Sequence, residues 1–347
     1  MASATRNRPS TIPKRLVLGR LPRYARHDRR FEVSFMPPPS SVTVHAPATI
    51  ANVGCGFDVL GLCLTAPYYT VRLTRREQPG LVIRHFDAYD LPTDPNRNVA
   101  GAALLALLRA VPEPLGFEVE ITPGIRPGSG IGSSAASAAG AVVAANALLG
   151  NKFNHKELID MAMYGEAVAS GVRHADNIAP AICGGFTLVR AVAPALDVVA
   201  LPAPPLWVAV VHPQFEVKTK EARAVLPTAV PLALAVRQWA NVGGLVAGFL
   251  THDTELISRA LEDYIVEPAR ASLIPGLGEA KRLALAAGAL GGGISGSGPS
   301  IFMLNKDEAT AHATAEALGS VYRKMGIDFH LHVGPIASQG ARVVATE

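Results

Sequence analysis

Between Phe117 and Leu149 the chain runs from a strand, through three alternate glycines, into a helix of small residues, and few folds accommodate that succession. Phe117-Glu118-Val119-Glu120-Ile121 alternates apolar with polar, which predicts a strand with one buried face. Pro127-Gly128-Ser129-Gly130-Ile131-Gly132-Ser133-Ser134-Ala135-Ala136-Ser137 follows it. Glycines at alternate positions let the backbone approach a ligand and turn successive N–H groups toward one spot. A helix beginning at Ser133 or Ser134 adds its positive dipole end and its free N–H groups to that spot. Together they form an anion cradle suited to a triphosphate. A plain glycine-rich turn with a serine N-cap uses the same residues. The run 135–147, nearly all Ala, Gly and Ser, favours the ligand site, because such a helix lets neighbouring backbone pack tightly behind it. The loop is not a Walker A motif, since no Lys-Ser/Thr follows its last glycine. Nor is it a dinucleotide fingerprint: the third glycine comes too early, and no acid ends a second strand about 20 residues on.

A second anomaly lies in the helix expected over 156–170. Ile159 and Met163 share one face, and Glu166 falls on the same stripe. A carboxylate there is expensive unless it meets a cation or a metal, or reaches solvent from the helix end. Ser134 offers a hydroxyl that could join it on a nucleotide-bound Mg²⁺. Just downstream, Arg173-His174-Ala175-Asp176-Asn177 gathers four polar side chains after Gly171, as a surface loop or a site loop does.

Charge divides unevenly along the chain. Residues 1–35 hold nine lysines and arginines against two acids, which leaves 23 basic and 26 acidic residues for the rest of the 347. A mildly acidic body thus carries a basic leader, read here as a solvated extension, or as upstream sequence ahead of a start at Met36. A transit peptide or a nucleic-acid-binding arm has similar composition. Three widely spaced cysteines form neither a disulfide framework nor a metal pattern, which suits a reducing cytoplasm. The longest apolar stretches are too short and Ala/Gly-rich to span a membrane. The Pro-rich stretch 194–205 is the best internal boundary, and strands with helices grouped between them predict two α+β domains.

Three segments in order resemble the GHMP kinase family: Ala46-Pro47-Ala48-Thr49-Ile50-Ala51-Asn52-Val53-Gly54-Cys55-Gly56-Phe57-Asp58, the loop at 127–137, and Gly293-Ile294-Ser295-Gly296-Ser297-Gly298-Pro299-Ser300. The turn from Asn52 to Asp58, His174-Ala175-Asp176-Asn177, Thr219-Lys220-Glu221-Ala222-Arg223 and Glu267-Pro268-Ala269-Arg270 resemble its homoserine kinase branch. The resemblance runs from about Val42 to near the C-terminus and leaves out the leader. It implies an α+β, two-domain GHMP kinase fold with the active site between the domains. The N-terminal domain (41–200) would be like ribosomal S5 domain 2 and the C-terminal one (201–347) ferredoxin-like, with 1–40 a disordered, Pro-containing extension.

By the same resemblance the loop from Pro127 to Ser137 holds ATP, Ser134 and Glu166 hold Mg²⁺, and Asn98 marks the adenine side. L-homoserine carries a carboxylate, an ammonium and a hydroxyl. Arg223 and Arg270 suit the first as planar forks, and Asp176 with His174 the second. Asp58 accepts a hydrogen bond from the hydroxyl, with Asn52 alongside, and Thr219 and Gly296 complete the substrate side. The third motif is expected to be a flexible glycine strip. No lysine stands in the first motif to form a Lys–Asp pair, so a direct attack on the γ-phosphorus without a general base is the economical mechanism.

Two rivals compete with this reading: a GHMP kinase for mevalonate, shikimate or a sugar, and a nucleic-acid-binding S5-like protein. The acidic body with little aromatic interleaving speaks against the latter, and neither nucleic acid nor membrane is expected as a partner; a homodimer stays open. Removing residues 1–35 separates enzyme from nucleic-acid binder. Full kinase turnover with loss of any retention on immobilised DNA is the expected result.

Overall fold

The computed structural model describes residues 39–87, 89–202 and 205–347. The whole leader (1–35), Pro37 and Pro38 of the proline spacer, and Ala203 and Pro204 of the stretch 194–205 lie outside them.

The chain opens with two long antiparallel strands, β1 (Ser41–Ala51) and β2 (Leu60–Arg76), joined by the turn that carries the first motif. β3 (Gly80–His85), α1 (Val99–Arg109), β4 (Gly116–Thr122), α2 (Ser133–Leu148), α3 (His155–Ser170) and α4 (Ile178–Cys183) follow. β5 (Phe186–Ala191) and β6 (Asp197–Leu201) form a hairpin against β2. Then come β7 (Trp207–Pro213), α5 (Thr219–Ala224), α6 (Leu232–Thr251), α7 (Thr254–Ala260), α8 (Val266–Arg270) and α9 (Leu277–Ala286). The chain ends with β8 (Gly291–Ile294), β9 (Ile301–Asn305), α10 (Glu308–Met325), β10 (Phe329–Pro335) and β11 (Arg342–Thr346).

Among the described residues these strands make a seven-stranded sheet, with the path β11-β1-β2-β4-β3 and the β5–β6 hairpin attached to β2, and a four-stranded sheet ordered β10-β7-β9-β8. Only β3–β4 pairs parallel in the larger sheet. The fold class is therefore α+β, with two sheets. α2 lies against β1 and β2 and under α1 and α3, buried along nearly its whole length. Its Ala, Gly and Ser residues explain this: a helix enclosed on all sides has no room for a wide apolar stripe. Against the smaller sheet, α9 and α10 pack Ala280, Ala284, Leu318 and Tyr322 over Ala209, Val211, Ile301 and Met303.

Four elements depart from the sequence-based expectation. The apolar run 57–64 and the β-branched and aromatic run 68–74 read in the sequence as two separate elements. They join from Leu60 onward in one strand, β2, because β1 pairs with it on both sides of a register shift at Pro47/Thr49. Within the Pro-rich stretch, β6 forms because Val198 and Val199 lie beside Val189 and Leu188 in β5. The third motif, expected to be a flexible strip, begins inside a strand: Gly293 and Ile294 end β8, whose glycines 291–293 are hydrogen-bonded to β9, and the turn 295–300 follows. The glycines' lack of side chains is what lets the neighbours close in: a Cβ on Gly292 would sit 2.0 Å from the Phe302 carbonyl oxygen. Finally β11, whose residues are all exposed, returns to the edge of β1, where backbone pairing rather than an apolar pattern holds it.

Candidate active site

The turn between β1 and β2 is built from backbone conformations that side chains normally avoid. Asn52 (φ 72°), Val53 (φ 44°) and Asp58 (φ 60°) all lie in the left-handed region, where each non-glycine residue costs about 1–3 kcal/mol. The surroundings enforce it. Asn52 Nδ2 donates to the Gly296 carbonyl at 2.8 Å, and Asn52 Oδ1 accepts from the Asp58 amide at 3.1 Å. Asp58 is thereby aimed into a cleft of about 640 Å³.

Along one wall of this cleft run Pro127, Gly128, Gly130, Gly132, Ser133, Ser134 and Ser137. Ser129, Ile131, Ala135 and Ala136 are buried behind it and fix the loop rather than face the ligand space. Thr49 donates its amide to the Ile131 carbonyl, Ser295 Oγ donates to the Gly130 carbonyl at 2.8 Å, and Ser300 Oγ to the Ser129 carbonyl at 2.7 Å. Glycine is required at 132, where φ is 73° and a Cβ would fall 2.0 Å from Thr49 Oγ1. Gly132 is the N-cap of α2, and no side chain caps that helix. Its first-turn N–H groups are left for a ligand, as an anion site requires. The alternative of a serine N-cap is thereby set aside.

Ser134 Oγ donates to Glu166 Oε2 at 2.8 Å. Ile159 and Met163 are buried, as their stripe predicts, and Glu166, half-buried at the end of that stripe, turns into the cleft. Burial pushes its carboxyl above the usual range, against the hydrogen bonds from Ser134 and Ser170 and the charge of Arg223. No lysine or arginine pairs with it directly among the described residues. A serine hydroxyl and a desolvated carboxylate oxygen side by side are a donor set that a hard divalent cation fits.

The opposite end of the cleft is rich in charge. Asp176 is 5% exposed and lines the cleft, with no side-chain donor to its carboxylate. Burial, with Asp58 and Glu166 nearby, pushes it up to about 7. Arg270, 2% exposed, is fixed at two nitrogens: Nε donates to the Ala222 carbonyl and Nη1 to the Gly296 carbonyl, each at 2.9 Å. It thus presents one remaining nitrogen to the cleft rather than its whole fork. Burial lowers it to about 10, so it stays charged at neutral pH. Arg223 Nη2 donates to Asp58 Oδ1 at 2.7 Å, and both arginines lie over the Phe57 ring, 5.2 and 5.1 Å from its centre. His174 Nδ1 is 3.7 Å from the same Asp58 oxygen, and His174 Nε2 is buried without a partner. Burial lowers the imidazole, so it is held neutral.

Thr219 and Gly296 line the cleft as well. Asn98 lines it too, but its amide is engaged locally: it caps α1 through the Gly101 amide, donates to the Pro92 carbonyl and meets His85 Nε2 at 2.8 Å. Residues that the sequence reading passed over are Lys218, Lys220, Tyr69 and His85. Lysines in a polar run look like solvated surface; only the fold brings 216–220 across the glycine loop, where a Cβ on Gly128 would meet Glu216. No group of three His, Cys, Asp or Glu side chains forms a metal cluster by itself among the described residues. No helix there is long and apolar enough to cross a membrane.

Residues 98–185 match the family GHMP kinases N terminal domain, and residues 245–324 match GHMP kinases C terminal. A homoserine kinase of Chloroherpeton thalassium is 45% identical over 317 residues, covering 87% of this chain and 99% of that protein. One from Chlorobium phaeovibrioides is 44% identical over 319 residues, covering 88% and 99%. The crystal structure of homoserine kinase from Cytophaga hutchinsonii matches with a TM-score of 0.86 at 46% identity, over 89% of this chain and 99% of that one.

Asp176 gives a pH-dependent prediction. Its folded-state value of about 7 lies above that of an unfolded aspartate, about 3.9. The native state therefore keeps a proton that the unfolded chain has lost. The resulting stability is complete below about pH 4 and declines as pH rises toward 7. Asp176→Asn removes this penalty. Its melting temperature, followed by circular dichroism without ligands, should exceed that of the native chain at pH 8, by more than it does at pH 5.

Proposed function

The chain belongs to the homoserine kinase family of GHMP kinases, and we propose how its cleft transfers the γ-phosphoryl group of ATP to the side-chain hydroxyl of L-homoserine. One observation carries the reading. The uncapped N-terminus of α2 and its glycine loop open into the same cleft as a buried carboxylate without a side-chain donor, Asp176, and a buried arginine, Arg270. An anion cradle for phosphates thus adjoins one buried negative and one buried positive group, which suits a zwitterionic amino acid better than an uncharged sugar.

The glycine loop and the first turn of α2 hold the phosphates, with Lys218 and Lys220 adding positive charge from the facing segment. Ser134 and Glu166 hold Mg²⁺, which when bound neutralises charge on the phosphate oxygens and orients them. Arg270 takes the homoserine carboxylate through its remaining nitrogen, and Arg223 shares itself between that carboxylate and Asp58. Asp176 takes the ammonium, whose positive charge stabilises the ionised form that burial opposes, and His174 borders it. Asp58 accepts the hydrogen bond of the attacking hydroxyl, held in place by its amide on Asn52 and its oxygen on Arg223. Phosphoryl transfer needs positioning and charge neutralisation more than covalent help. In direct in-line attack without a dedicated base, the new O–P bond forms as the bond from the γ-phosphorus to the leaving ADP oxygen breaks. The hydroxyl proton passes to the transferred phosphoryl group and on to solvent, giving O-phospho-L-homoserine and ADP. This product places the enzyme in threonine biosynthesis, and the three free thiols suit the reducing cytoplasm.

Glu166→Gln tests the metal assignment. In a coupled ADP-release assay, the Mg²⁺ needed for half-maximal turnover should rise at least about tenfold, while the KM for homoserine stays within about twofold. An unchanged Mg²⁺ titration would remove Glu166 from the metal site.

A further inference from the structure

Two of the segments that form the homoserine end of the cleft are far apart in sequence, the turn 52–58 and the helix α8 that ends in Arg270. Both lean on one side chain outside the cleft. α6 exposes Leu232, Val236 and Trp239 and turns Gln238 inward, where it is 7% exposed. Gln238 Nε2 donates to the Cys55 carbonyl at 2.8 Å and to Asp263 Oδ1 at 2.9 Å, while its Oε1 accepts from the Tyr264 amide at 2.9 Å. Both heavy atoms of the amide group are therefore engaged.

Asp263 carries the linkage onward. Its Oδ1 accepts from the amides of Ile265 (2.9 Å) and Val266 (3.0 Å), and its Oδ2 from that of Glu267 (2.9 Å). These are the N–H groups that open α8, and the rigid turn that follows delivers Arg270. Glu267 adds a second tie. It pairs with Lys281 and accepts from the Ile294 amide at 3.2 Å, joining α8 to the third motif. At the other end of the linkage, Cys55 lies in the turn that aims Asn52 and Asp58. A methionine or leucine of similar size would leave the Cys55 carbonyl and the Tyr264 amide without this partner, so the buried amide fixes how the two segments meet.

We propose that Gln238, acting with Asp263, is a positioning residue for the reaction: it sets the distance between Arg270 and the Asp58 turn, and hence the fit of the homoserine backbone and hydroxyl. The proposal rests on the reading that Arg270 and Asp58 face homoserine. It touches neither the glycine loop nor the metal ligands.

Steady-state kinetics of Gln238→Met, Arg270→Lys and the double variant test it. Gln238→Met should raise the KM for homoserine about tenfold, leaving kcat within about threefold and the KM for ATP within about twofold. Because Gln238 acts through Arg270, the double variant should raise the homoserine KM by less than the product of the single effects. An unchanged homoserine KM in Gln238→Met, equal rises in both KM values, or multiplicative effects in the double variant would overturn the proposal. An unchanged homoserine KM in Arg270→Lys would sink the reading of the pocket and the proposal with it. A raised value there beside an unchanged one in Gln238→Met sinks the proposal alone. Should Gln238→Met not fold, Gln238→Glu, which keeps the acceptor for Tyr264 and loses the donated bonds, is held to the same expectations.

Discussion

A single carbonyl oxygen ties the catalytic cleft together. Gly296 O accepts from Asn52 Nδ2 at 2.8 Å and from Arg270 Nη1 at 2.9 Å, so the first motif, the third motif and the end of α8 meet at one atom. One residue earlier, Ser295 donates to Gly130 and binds the glycine loop into the same knot. None of these contacts involves the substrates. They force the left-handed backbone at Asn52 and Asp58 and hold Arg270 at the bottom of the cleft. A flexible strip at 293–298 could not do this. The turn at 295–300, anchored between the strands β8 and β9, can.

The knot allows the protein to keep charges where solvent would otherwise compensate them. Asp176 and Glu166 are both pushed up by burial, and Arg270 is pushed down by it. An isolated group of this kind would rearrange or take up a neutral form. Here Arg270 is fixed by two carbonyls and Glu166 by Ser134, while burial alone confines Asp176, so each group remains poised for an opposite charge. On the proposed function, substrate binding supplies that charge: an ammonium for Asp176, a metal for Glu166, a carboxylate for Arg270. Binding energy is thereby concentrated on an amino acid that carries both of its charges in the right order beside a metal-bound nucleotide.

Much of this was legible in the residues themselves, for physical reasons that differ from case to case. The glycine loop announced itself because alternate glycines before an all-small helix have few other uses. Glu166 stood out as a charge on an apolar stripe, and its contact with Ser134 follows from that. Resemblance, not pattern, singled out Arg223 and Arg270, since a lone arginine looks like surface. Gln238 and Asp263 left no local signal: a glutamine in an amphipathic helix reads as solvent-facing, and its partners lie 25 or more residues away or on another element. Lys218 and Lys220 were invisible for the same reason. β8 and β11 escaped because backbone pairing, rather than side-chain periodicity, makes them strands.

With Asp58 held by Asn52 and Arg223, and the glycine loop on another wall of the cleft, the proposed function hands the γ-phosphoryl group directly from nucleotide to hydroxyl. The most direct measurement is the stereochemical course of transfer, using ATP made chiral at the γ-phosphorus with oxygen isotopes. A single in-line displacement predicts inversion of configuration in O-phospho-L-homoserine. Retention would mean two displacements through a phosphorylated side chain, with His174 and Asp58 the nearest acceptors, and would contradict direct transfer.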